Sequence, residues 1–80
     1  MKKGLEVKDG HIIFSRHVKP IISSTTYGDR LIHVCQDIMK DGSVVFSSFL
    51  SKKNGRVQRA GHMKASEDEA ILAAKEVARG

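Results

Sequence analysis

The residues whose types and spacing best suit chemistry are cationic. Lys52, Lys53 and Arg56 surround an Asn54-Gly55 pair, and Gln58, Arg59 and Lys64 follow closely. An Asn-Gly pair between two apolar runs signals a tight hairpin turn. The two lysines and Arg56 therefore fall at the tip of a two-stranded ribbon. Such a ribbon fits a DNA major groove, with lysines on phosphates and Arg or Gln side chains reaching base edges. From Gly42 to Ser66 no acidic residue interrupts the positive charge. The plainer reading of the same residues is a solvated turn whose charges discourage edge pairing.

The other reactive residue types do not converge. His11, His17, His33 and His62 lie in different segments, and no pair has metal-ligand spacing on one helix. Surface or half-buried structural histidine is the expectation. Cys35 lies in an apolar run and reads as a small core residue, with no fixed base beside it. Glu67, Asp68 and Glu69 are adjacent, so on a helix they point in different directions; capping and the helix dipole account for them. Ser47 and Ser48 read as ordinary strand serines. No catalytic residue, metal site or cofactor site is expected, and the chain is not read as an enzyme.

Eighty residues make one domain, 1–80, with Met1 to Gly4 loose at its start. So short a chain buries only about 60% of its unfolded surface. A single cysteine forms no intrachain disulfide and no cysteine zinc cluster. No apolar run is long enough to span a membrane. Glu6, Lys8 and Asp9 interrupt what would be the apolar part of a signal peptide, so a cytoplasmic protein is expected. The net charge of +5 favours an acidic partner, nucleic acid first.

These residues need a frame. Ser66 to Arg79 is the clearest element: Ser66 caps a helix, Glu69 completes a capping box, and Lys75 and Arg79 sit at its negative end. Ala70, Ile71, Ala74, Val77 and Ala78 form its apolar stripe. Upstream, Leu5 to Lys8 and His11 to Arg16 flank Asp9-Gly10 and predict a hairpin. Pro20 marks an edge strand or a loop. Ser23 to Asp29 is the main polar break and the best linker.

Arg30 to Lys40 fits a strand through Ile32, Val34 and Ile38, and fits a helix through Leu31, Val34, Cys35, Ile38 and Met39. Strand is favoured, with a helix at 29–40 as the alternative. Residues 43–50 carry apolar side chains on both faces, which suits a strand covered on both sides. Residues 56–63 return as the third strand of a meander. The expectation is therefore α+β: an antiparallel sheet of three to five strands (meander 31–63) with one C-terminal helix (66–79) on one face.

About residues 31–79 resemble the three-stranded-sheet DNA-binding domains of tyrosine-recombinase N-termini and plant ethylene-response factors. The resemblance lies in Gly61-His62-Met63-Lys64-Ala65-Ser66-Glu67-Asp68-Glu69-Ala70, where those families pass from the third strand into the helix through a Gly-aromatic-x-Thr-x-Glu-(Asp/Glu)-Ala type segment. It implies that the arginine-bearing sheet face enters the major groove, with Arg56, Gln58 and Arg59 as readers. The plant family's Trp and Arg-rich first strands are absent, and the N-terminal hairpin is extra. The same half is similar to a double-stranded RNA-binding domain in the spacing of Ser66, Ala70, Ala74 and Ala78. There Glu67 and Asp68 replace the phosphate-binding lysines, which argues against duplex RNA.

Two functions are expected. The first is a small non-enzymatic DNA-binding protein of the phage or mobile-element kind, acting through Lys52, Lys53, Arg56, Gln58, Arg59 and Lys64. The alternative is a protein-interaction module, inhibitor or adaptor that pairs through a sheet face or edge, a homodimer being one form of it. Phe46 or Phe49 on the helix-free face would then need a partner. No membrane or small-molecule partner is implied.

Overall fold

The computed structural model describes residues 6–14, 17–52 and 56–80. The loose stretch expected at 1–4, the last two residues of the first hairpin and the Lys53-Asn54-Gly55 turn lie outside them. Six strands follow in order: β1 (Glu6–Lys8), β2 (His11–Phe14), β3 (His17–Tyr27), β4 (Arg30–Ile38), β5 (Val44–Ser51) and β6 (Val57–Lys64). Helix α1 (Glu67–Arg79) ends the chain. Each strand pairs antiparallel with the next, and the sheet curls into a half-barrel.

The α+β class and the C-terminal helix are as expected. The sheet is larger than three to five strands because His17 to Tyr27 forms one long strand. Ser23, Thr25 and Tyr27 are half-buried while Ser24 and Thr26 are exposed. This is strand alternation written in hydroxyl residues, and Thr and Tyr suit a pleated surface well. The polar stretch from Ser23 is thus a strand rather than a linker, and only Gly28-Asp29 turns the chain. Gly28 takes φ +66° there, which suits a two-residue hairpin. Asp9 and Gly10, both with positive φ, turn β1 into β2 in the same manner.

Pro20 lies inside β3, a strand with neighbours on both sides, contrary to the edge or loop expectation. Amides alternate sides along a strand. The Ile21 amide donates to the Gly10 carbonyl (2.9 Å) on the β2 side. The Pro20 nitrogen therefore faces β4, where pairing starts only at Ile21 and Cys35. The missing donor falls just beyond the end of a ladder, where it costs little.

The segment 30–40 is strand through Ile38, not helix. Met39 to Ser43 make the hairpin into β5: the Gly42 amide donates to Met39 (2.9 Å), and Gly42 adopts φ +92°. The Ser43 amide and hydroxyl both donate to the Asp41 carboxylate (2.9 and 2.7 Å), holding its carboxyl below the ordinary range.

Two buried clusters lie on opposite faces of the sheet. Ile32, Leu50 and Ala74 pack with Tyr27, Ala60, Ile71, Val77 and Ala78 under α1. Ile12, Cys35 and Phe49 pack with Val7, Ile21 and Val57 on the other side. A β-bulge in β3 links the two. Ile21 stands opposite Cys35 but Ser23 stands opposite Val34, so Ile22 is the extra residue. Before the bulge the odd-numbered residues of β3 face Cys35; after it they face α1. The helix-free face is therefore closed by β1 and β2. Phe49 is only 1% exposed, so it does not await a partner. Phe46 is half-buried.

Candidate nucleic-acid interface

The cationic residues gather on and beside β6, whose outer side is an edge of the sheet. The Lys52 amide donates to the Arg56 carbonyl (2.8 Å), closing the base of the β5–β6 hairpin. Lys52, Arg56, Gln58 and Arg59 are all exposed; Lys53 is outside the described residues. Gln58 stands opposite Leu50 and so shares the helix side of the sheet. Arg59 stands opposite Phe49 and takes the other side. The expected readers thus flank an edge rather than line one face. The helix-free face of the sheet is covered at Cys35 and Phe49 by the N-terminal strands.

Lys64 is set apart. It stands opposite Phe46, near the start of α1, and lines a shallow groove with Glu69, Leu72, Ala73 and Glu76. Its charge is in acidic company. The positive surface is therefore weighted to the opposite end of β6, where Lys52, Arg56 and Arg59 lie.

Two serines missed by sequence reasoning shape β6. Register shifts fall between the pairs Phe49/Arg59 and Ser48/Gly61, and again before Phe46/Lys64. Met63 takes φ +52° at the second shift, and its amide donates to the Ser47 hydroxyl (3.2 Å). The Gly61 amide donates to the Ser48 hydroxyl (2.8 Å), which donates in turn to the Ala70 carbonyl of α1 (2.7 Å). Both hydroxyls replace ladder bonds that the bulges remove. A Cβ on Gly61 would lie 2.7 Å from the Ser48 hydroxyl and 3.2 Å from the Ala73 Cβ. Gly61 thus lets helix and sheet approach closely. Two adjacent serines in a strand covered on both faces were the available signal, since buried hydroxyls need partners.

Helix α1 is fixed at both ends. Ser66 accepts from the Glu69 amide (3.2 Å), the forward half of the expected capping box. Ser23 donates to Glu67 (2.5 Å), tying the acidic first turn to β3. Lys75 Nζ sits 5.7 Å from the Tyr27 ring centroid, in cation–π range. The helix stripe is as expected, with Ala70 and Ala74 fully buried.

Among the described residues, no three His, Cys, Asp or Glu side chains converge as a metal site. Burial pushes the Cys35 thiol up to about 11, with Lys19 lowering and Asp37 raising it by smaller amounts. It is a protonated core thiol at neutral pH, not a nucleophile. Lys19 and Asp37 form an ion pair beside it. No helix among the described residues is long and apolar enough to cross a membrane. No family model matches the chain, and no curated protein or solved structure matches it either.

Proposed function

We propose that this chain is a small non-enzymatic binding protein that engages duplex DNA through the basic end of the β5–β6 hairpin. The observation that carries it is the exposure of Lys52, Arg56, Gln58 and Arg59 together around one hairpin end, in a stretch of sequence free of acids from Gly42 to Ser66. Lysine and arginine supply phosphate contacts, and Gln58 and the arginines have the donor geometry that base edges accept. Contact would come from the ribbon end and its edge, since the sheet face beneath it is occupied. The protein would act in the cytoplasm.

Charge reversal tests it. Lys52→Glu with Arg56→Glu removes two cations and adds two anions at exposed positions, and a thermal melt of the variant checks that it still folds. Binding to a duplex, followed by fluorescence anisotropy, should weaken by at least about tenfold. Wild-type affinity should itself fall steeply between 50 and 200 mM salt, as counterion release requires. Binding that ignores salt, or that survives the double reversal, would contradict the proposal.

A second reading, a protein-interaction module, draws on a different surface. Val18, Ile38 and Val44 are 60%, 72% and 39% exposed. Ile38 pairs with Val44, and continuing the Ile21–Cys35 register sets Val18 opposite Ile38. So extended, the three would form an apolar row across β3, β4 and β5 on the helix side of the sheet. Such rows commonly meet another protein or a second copy of the chain. Sedimentation at several concentrations separates the two readings. A tight dimer indifferent to DNA favours the second, and a monomer that binds DNA favours the first.

A further inference from the structure

His33 is the buried histidine of the described residues, 5% exposed. It lies on β4, on the face away from α1, between Ser24 of β3 and Phe49 of β5 in the strand register. The Ser24 hydroxyl is 2.8 Å from Nδ1. Nε2 is buried and has no hydrogen-bond partner among the described residues. A neutral ring tolerates this arrangement: Nδ1–H donates to Ser24, and Nε2 keeps a bare lone pair. A protonated ring does not, because both nitrogens then donate and the Nε2 proton meets no acceptor among the described residues.

Among the described residues, the charged groups on that face do not relieve the problem. Arg59 stands across from Phe49 on β6 and carries the same sign. Asp37, further along β4, is engaged by Lys19 of β3. Toward β1 and β2 the cluster presents Val7 and Ile12, which are uncharged. Cys35, two residues away, stays a neutral thiol at physiological pH. Desolvation accordingly holds His33 below the ordinary histidine value.

We propose that His33 is an acid-sensitive latch on the β3–β4 hairpin, whose protonation drives the ring from between Ser24 and Phe49 and loosens the face closed by the N-terminal strands. The sign follows from the neutral ring being the folded form. Its contribution is complete above the unfolded-state value of about 6.5. It declines as pH falls through that value and levels off below the folded-state value, since the unfolded chain takes up the proton first.

The test is an NMR titration of the His33 ring in the intact chain, paired with thermal unfolding between about pH 7.5 and pH 5. Against a histidine in an unstructured peptide, the His33 ring should titrate lower. The midpoint of unfolding should drop across the same interval, and His33→Gln, a neutral hydrogen-bonding replacement, should flatten that drop. Titration of His33 at or above the peptide value would overturn the latch, as would an undiminished pH slope in H33Q. If H33Q does not fold, the wild-type titration decides alone.

Discussion

The two faces of the sheet are sealed by different means. Under α1 the seal is made of small residues at short range: Ala70, Ala74, Gly61 and the Ser48 hydroxyl that joins β6 to the helix. On the other face it is made of bulk, with Phe49 and Ile12 filling the space and β1 and β2 closing over it. The helix side tolerates no added atom at Gly61, while the hairpin side depends on not losing atoms at Phe49. One strand, β5, serves both through simple alternation: Ser48 and Leu50 face the helix, Ser47 and Phe49 the hairpin. The lesson is that a face without a helix need not be free for a partner. A chain of this size can curl its own sheet to cover it, leaving edges and hairpin ends as the exposed features.

The largest effect should come from Phe49→Ala. Emptying a fully buried aromatic site typically costs about 3–5 kcal/mol, a large share of the stability of so small a domain. The comparison predicts where the damage falls. Hydrogen-exchange protection should be lost first in β1 and β2, with α1 amides affected less. Equal loss in both regions would mean that the two clusters form a single cooperative core.

Much of the helix side was legible in the sequence, and the hairpin side was not. Ser66, the acidic first turn and the alanine spacing specify α1 locally, so no distant contact was needed to place it. The strand β5 announced its two-sided burial through Val44 to Leu50. β3 was hidden because its inward residues after the bulge are Ser23, Thr25 and Tyr27, a polar alternation that resembles a loop. The Ile22 bulge also breaks the period of two, and nothing local marks it. The candidate site was half legible. The cations and the reversal of the chain between β5 and β6 could be found from composition and patterning. That Gln58 and Arg59 flank opposite sides of an edge depends on register, and that Lys64 sits among Glu69 and Glu76 depends on where α1 lies.

Gly61→Ala should rank next, and it probes the helix side by overfilling. The new methyl would meet the Ser48 hydroxyl at 2.7 Å, and forcing extra bulk into a packed site costs about 1–3 kcal/mol. For a domain of this length that lowers Tm by about 4–8 °C per kcal/mol. Here the protection of α1 should fall before that of β1 and β2, the reverse of the Phe49 pattern. Ser48→Ala should be similar or milder, at about 1–3 kcal/mol, because it leaves the Gly61 amide buried without its acceptor. Combining Ser48→Ala with Gly61→Ala should cost less than the sum of the two, since the first removes the atom that the second strikes. Strict additivity would show that the clash is relieved elsewhere.

The proposed DNA contact would lie at the basic hairpin. Amide shift mapping of the labelled chain titrated with duplex DNA tests this most directly. The predicted result is perturbation concentrated at Lys52 and along Arg56 to Arg59, with the interior amides of β4 unchanged. Perturbation centred on Val18, Ile38 and Val44, or no perturbation at any DNA concentration, would contradict it.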